Sequence, residues 1–302
     1  MCITSALAQP TTLYSASEEG FDWTFHEIDL TTGDIIKNIS LPSYGGVWAL
    51  MNPTADSVQM VLLNYTGIYL NEYSIEYNTT KQIGVVDVDS TISYEFSSQP
   101  MKLLPNSNTI YLAGSTQVQS SFAPTIYKWD FDNSEFDKLI YSNEQAGGWV
   151  EGCLDDENLI FYLIYPNFGG DVATIQQYDI QKNTTNTYTY PMEGSSFNAF
   201  SYLFVYDSQL YVLQYSELTQ NIQSITFNSG SVTLTSVYTY NSPFYLYQAP
   251  FVQVDNFLVV LSSPTEGEIQ YTILDISQNF KVISQTTPTT QDIKYSYALT
   301  AF

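Results

Sequence analysis

No arginine occurs in this 302-residue chain, and eight lysines are its only strong bases against 31 acidic residues, for a formal net charge of −23. A protein that holds a nucleic-acid duplex must neutralise phosphates with Lys and Arg, so this balance excludes nucleic acid and disfavours an anionic membrane surface. Cationic ligands, metals and basic partners stay open, and carboxylates that simply solvate the surface are the plainest reading. Cysteine is nearly absent too. Cys2 and Cys153 alone make neither a disulfide framework nor the paired spacing of a metal site. No apolar run approaches the roughly 18 residues that would mark a membrane span.

Charged residues are only 13% of the chain, so much of the surface must be Ser, Thr, Asn, Gln and Tyr. Below about pH 3 the carboxylates are neutral. What then remains is eight Lys, His26 and the amino terminus, and self-repulsion in acid is mild. The start, MCITSALAQP, ends its small-residue run in Ala6-Leu7-Ala8 before Gln9, as a secretory signal does, but without a basic region ahead of it. The expectation is an extracellular or cell-surface protein, with the cytoplasm as the alternative.

What the chain has in abundance is aromatic side chains, 26 Tyr and 17 Phe among them, which favour pleated, half-buried surfaces. It also has a repeat. FHEIDLTTGDII at Asp29 returns as EYSIEYNTTKQIG at Glu76, IYKWDFDNSEFDK at Asp130, IQQYDIQKNTTNT at Asp179, IQSITFNSGSVTL at Thr226 and YTILDISQNFKVI at Asp275. Each is a strand, a polar turn and a second strand, and Asp or Asn in the turn can bond its own backbone two residues on. A second hairpin precedes each of these except the first, with turns NPTADS, LPNSNT, LDDEN, VYDSQ and VDNF.

Four strands per repeat of roughly 50 residues is the pattern of a propeller blade. The first repeat lacks its leading strand, and a spare strand, KYSYALTAF, follows the last one. The expected fold is all-β: a six-bladed β-propeller with four antiparallel strands per blade, its ring closed by the C-terminal strand joining blade 1, which leaves no exposed sheet edge at the seam. As one propeller domain over 1–302, blade 1 takes about 10–42 plus 294–302. The others take about 44–90, 92–143, 146–192, 196–241 and 244–290.

The chain at this point resembles the six-bladed β-propellers, and IDLTTGDII is similar to the hairpin of YVTN- or quinoprotein-type blades. The resemblance covers nearly the whole chain and is one of architecture, and such folds host unrelated functions. It implies a binding mouth where the loops leading into each innermost strand converge. Those loops hold Trp48, Gln99, Trp149, Glu151, Asn198, Tyr247 and Gln248, with Gly45-Gly46 and Gly147-Gly148 permitting close backbone approach. Aromatic planes beside amides suit a neutral polar ligand such as a glycan; the alternative is that the two tryptophans fill the wedge between blades.

Lactonases and phosphotriesterase-like hydrolases of similar architecture hold Ca²⁺ in the channel through Glu, Asp and Asn. Here only Glu151 and Asn198 match, whereas calcium takes about six to eight oxygens, several from carboxylates. DFDNSEFD, Asp130 to Asp137, alternates acidic residues like the opening of a calcium loop, yet it lacks the Gly and closing Glu and falls in register with the ordinary turns. No metal ligands are assigned. His26 gives a Ser-His-Asp triad one candidate base, at the repeat position held by Tyr73 and Tyr127, which suggests packing, and Cys153 reads as a buried thiol; no catalytic residue is assigned. Sequons stand at Asn38, Asn64, Asn78 and Asn183, credible glycosylation sites if the chain is secreted.

The expected function is a non-enzymatic surface module that binds a protein partner or packs into an assembly. The alternatives are a carbohydrate-binding propeller and a Ca-dependent hydrolase or lactonase.

Overall fold

The computed structural model describes residues 8–19, 22–41, 46–64, 67–87, 94–96, 102–118, 121–141, 150–167, 172–191, 201–215, 220–240, 251–262, 269–288 and 296–301. These form six four-stranded sheets. Blade 1 comprises β1 (Thr12–Glu19), β2 (Asp22–Asp29) and β3 (Ile35–Leu41); blade 2 comprises β4 (Gly46–Met51), β5 (Ser57–Asn64), β6 (Gly67–Ser74) and β7 (Thr79–Val86). Blade 3 runs through β8 (Tyr94–Phe96), β9 (Thr109–Val118), β10 (Ser121–Asp130) and β11 (Glu135–Tyr141). Blade 4 has β12 (Glu151–Asp155), β13 (Ile160–Pro166), β14 (Val172–Asp179) and β15 (Thr184–Pro191). Blade 5 has β16 (Ser201–Tyr206), β17 (Gln209–Tyr215), β18 (Gln220–Phe227) and β19 (Val232–Tyr240). Blade 6 has β20 (Phe251–Val254), β21 (Phe257–Ser262), β22 (Gln270–Asp275) and β23 (Lys281–Thr286). The last strand, β24 (Ser296–Ala301), pairs antiparallel with β1 from Leu13↔Ala301 to Ser17↔Ser296 and completes blade 1. No helix among the described residues is long and apolar enough to cross a membrane.

Position in the blade explains each strand's composition. Second strands have blades packed on both faces, so β13 (IFYLIYP) and β21 (FLVVLS) are almost wholly buried and read as unbroken apolar runs. Fourth strands lie on the outside, and β7 passes from an exposed start at Thr79 to buried Val86. Third strands do the joining. Ile28, Tyr73, Trp129, Tyr178, Ile225 and Leu274 each enter the apolar cluster shared with the preceding blade. Burying each such side chain contributes on the order of 1.5–3 kcal/mol.

The next residue is the repeat anchor. Asp29 accepts from the Thr31 N–H at 2.7 Å and hydroxyl at 2.6 Å; Asp130 from the Asn133 N–H and side-chain amide, both at 3.1 Å; Asp179 from the Lys182 N–H at 2.9 Å and Nζ at 2.6 Å. One carboxylate thus ties down a turn's free donor and its side chain together, which is why the motif recurs. Blade 2 corrects the alignment. There the register pairs Ser57 with Ser74, as Thr12 pairs with Asp29, and buried Ile75 follows as Leu30 does, so the equivalent residue is Ser74 rather than Glu76.

Three residues before the anchor each blade carries a polar side chain: His26, Asn71, Tyr127, Gln176, Gln223 and Thr272. All but Gln223 are buried. The interblade wedge is therefore apolar beside the anchor and polar further along. Blade 3 shows a second departure. Its inner edge is shared between β8, paired with Gly114–Thr116, and a lone bridge from Leu103 to Ile110.

Candidate functional site

Innermost strands run in one sense around the axis, so one face of the ring gathers the loops leading into them and the other gathers the tight turns of the inner hairpins. The latter face is laced across blades. Lys102 of blade 3 pairs with Asp156 of blade 4 at 3.5 Å, and Asn158 of blade 4 donates to the Ser208 hydroxyl of blade 5 at 2.8 Å. Within blade 4, Asp155 accepts from the Asn158 N–H at 3.1 Å and side-chain amide at 2.9 Å. Asp207, Ser208 and Asp255 take the left-handed conformation, φ 49°, 59° and 50°, that two-residue turns demand.

The central channel opens between these turns. A cavity of about 440 Å³ takes its wall from every blade, including Leu50, Lys102, Cys153, Leu203, Val252 and Ala301. Beyond it a recess of about 590 Å³ is lined by Asp155, Asp156, Glu157, Asp207 and Asp255, with Lys102 the only base among the described lining residues. Burial pushes the Cys153 thiol well above its ordinary range, against a smaller opposite pull from Lys102 and with a further push from Asp155. A thiol held protonated is no nucleophile.

Of the residues expected at the opposite mouth, two are described. Trp48 sits in a β-bulge, where the β4–β5 register slips between Val47 and Ala49; it is half-buried against the apolar cluster between blades 2 and 3. A bulge re-aims a side chain, a signal that alternation in the sequence does not carry. Glu151 begins β12, is buried, and lies near Tyr202, whose phenol is pushed up by burial first and by Glu151 second. Gln99, Trp149, Asn198, Tyr247 and Gln248 lie outside the described residues.

His26 occupies the polar layer. Its Nε2 is 2.6 Å from the Ser17 hydroxyl and its Nδ1 2.6 Å from Asn38 Oδ1, the order of a nucleophile, a base and an orienting group. Ser17 and His26 are each only 6% exposed, and the chain of bonds braces three strands. The DFDNSEFD stretch is an outer turn with its carboxylates in use, since Asp132 accepts from the Asn108 N–H at 2.9 Å and side-chain amide at 2.7 Å. Among the described residues no group of three or more His, Cys, Asp and Glu is arranged to hold a metal.

Of the sequons, Asn38 is exposed on β3, while the side chain of Asn64 is outside the described set. Asn78 and Asn183 stand exposed at outer turns with φ 51° and 54°, each accepting from a tyrosine hydroxyl, Tyr73 and Tyr178, at 3.0 Å.

No family model matches the chain, and no curated protein matches it. Solved structures do. TolB from Acinetobacter baumannii is similar at 14% identity with a TM-score of 0.56 over 92% of this chain, which spans 64% of the TolB chain. A nidogen/laminin complex is similar at 12% identity and TM-score 0.56, covering 96% of this chain and 97% of the matched one. A protein from Lactobacillus plantarum is similar at 12% identity and TM-score 0.55, covering 98% and 86%. By fold the chain is a six-bladed β-propeller. Identities this low carry the fold and nothing of the chemistry.

Proposed function

We propose that this propeller is a non-enzymatic interaction module, working outside the cell or at its surface, that engages a protein partner through its tight-turn face. The recess at the centre of that face carries the reading. Its walls are turns tied down by their own side chains, Asp155 by Asn158 and Asp156 by Lys102, so they offer a partner fixed shape and charge. The Cys153 thiol in the adjoining cavity is pushed up by burial and so held protonated.

Charge indicates the partner's chemistry. Five carboxylates against one lysine favour a projecting Lys- or Arg-bearing segment, drawn in by a chain of net charge −23. A structure similar to this one holds nidogen and laminin together, which supports a protein-binding use of the fold. In an extracellular setting Asn78 and Asn183 are the sequons we expect to carry glycan.

The test is calorimetric titration with a Lys/Arg-rich peptide and an acidic control of equal length. It is repeated on Asp156→Asn/Asp207→Asn/Asp255→Asn, substitutions that keep the size and turn preference of each residue.

A further inference from the structure

The fourth strands form the outer rim, and an edge strand presents unpaired N–H and C=O groups to any chain that can extend the sheet. Lysine on the edge is one of the ways proteins blunt such a strand. Four rims have one: Lys37 on β3, Lys81 on β7, Lys138 on β11 and Lys281 on β23. These are half of the chain's eight lysines. The outer strands of blades 4 and 5 have no charge of either sign, reading TTNTYTYP in β15 and VTLTSVYTY in β19.

The two uncharged rims are also joined. The Thr189 N–H donates to the Gly230 carbonyl at 3.4 Å, and Thr189 forms a parallel bridge with Ser231. Beneath them the Phe227 ring lies 4.6 Å from that of Tyr188 and 5.9 Å from that of Tyr162, which sets the two blades' rims against one another. Among the described residues no strand lies beyond β19, and Thr233, Thr235, Ser236 and Thr239 along it are exposed. Of the large exposed apolar side chains, Ile36 and Val282 lie on rims that carry a lysine.

We propose that two copies of this chain associate through the rim of blades 4 and 5, β19 of one pairing antiparallel with β19 of the other across a two-fold axis. Charge selects the occupant. A basic partner is drawn to carboxylates, and β15 and β19 have none of their own, whereas a partner of the same sign approaches most easily where charge is missing. A second copy carries that sign, −23, and supplies a strand of matching length. From residue 201 to 240 the charged residues are Asp207 and Glu217, and Asp207 belongs to the channel mouth rather than the rim. Two-fold pairing sets Thr- and Val-rich positions against their like, a favourable cross-strand combination that closes both edges at once. The inference rests on the reading of the chain as an interaction module but uses a different surface from the mouth.

The experiment is light scattering on the purified full chain from micromolar to millimolar concentration, beside Thr235→Lys, which gives blade 5 the lysine that other rims have. The expected result is a mass that rises to twice the chain mass with concentration and stays at the chain mass in Thr235→Lys, whose far-UV circular dichroism is unchanged. Amide exchange in β19 of the unaltered chain slows as concentration rises. A single-chain mass throughout, or a dimer that persists in a folded Thr235→Lys, overturns the proposal. If Thr235→Lys fails to fold, β19 exchange that ignores concentration overturns it instead. The mouth variant Asp156→Asn/Asp207→Asn/Asp255→Asn still dimerises, which separates failure of this inference from failure of the mouth reading.

Discussion

Asp275 holds Gln278 at both carboxylate oxygens, its Oδ1 accepting from the Gln278 N–H at 3.3 Å and its Oδ2 from the Gln278 side-chain amide at 2.6 Å. Ser277 at 2.6 Å and Asn256 at 3.1 Å also donate to Oδ1. In this blade the outer turn is a 3-10 turn, Ile276–Gln278, with Asp275 as its N-cap and Asn279 left-handed at its end. Replacing Asp275 by Ala removes the cap and leaves Asn256 without that acceptor. The expected cost is about 1–2 kcal/mol in denaturant unfolding, whereas Asp275→Asn, which keeps an acceptor, costs less.

Stability should fall at both ends of the pH scale. Asp29 is held below the usual carboxylate range by the Thr31 hydroxyl and N–H, and Asp179 by the Lys182 side chain and N–H. For Asp130 and Asp275 burial opposes ionisation but is outweighed by hydrogen bonds, chiefly from Asn133 and from Ser277 respectively. A carboxyl depressed in the folded state stabilises above its unfolded value, near pH 3.9, and that contribution is lost as pH falls through the folded value. Burial, joined at Tyr14 by Glu27 and Asp56, pushes the phenols of Tyr14 and Tyr73 up to about 12. Their contribution is complete below the unfolded value near pH 10 and is lost as pH rises through about 12. Thermal midpoints should be level from about pH 5 to 9, fall below about pH 4, and fall again above about pH 10 as tyrosinate absorbance appears together with unfolding.

Gly152 lets blade 4 close on blade 3. A Cβ there would lie 2.7 Å from the Phe161 ring and 2.8 Å from Ala113 Cβ. Gly152→Ala is expected to cost about 1–3 kcal/mol, read as a lower denaturation midpoint, because both neighbours are buried and the ring has little room to yield. Phe161→Leu in the same chain should recover part of the loss.

The six-fold architecture was legible because a strand, a polar turn and a second strand recur at a period of roughly 50 residues, and in four of the six blades an aspartate, Asp29, Asp130, Asp179 or Asp275, ties that turn. The spare strand after the last repeat pointed to ring closure for a similar reason, since the first blade lacked one. Blade 2 misled because Ser74 replaces the acid while Glu76 stands two residues on, and only strand register separates them. The bulge at Trp48 was invisible because a two-residue period does not report an extra residue. The polar layer from His26 to Thr272 was hidden by its chemical variety, as imidazole, amide, phenol and hydroxyl share a position without sharing an identity. The acidic recess escaped notice because Asp156, Asp207 and Asp255 lie in turns that each look solvated alone, and ring geometry is what gathers them.

The most direct test of the account is calorimetric titration of the purified chain with a Lys/Arg-rich peptide. The predicted result is saturable binding that weakens sharply between about 0.1 and 1 M salt, as the screening length falls from roughly 10 to 3 Å, and that drops at least about tenfold, near 1.4 kcal/mol, in Asp156→Asn/Asp207→Asn/Asp255→Asn. No binding to the basic peptide, or binding that the triple substitution leaves intact, would contradict it. Saturable binding of a glycan, lost in Trp149→Ala, would move the functional face to the other end of the channel.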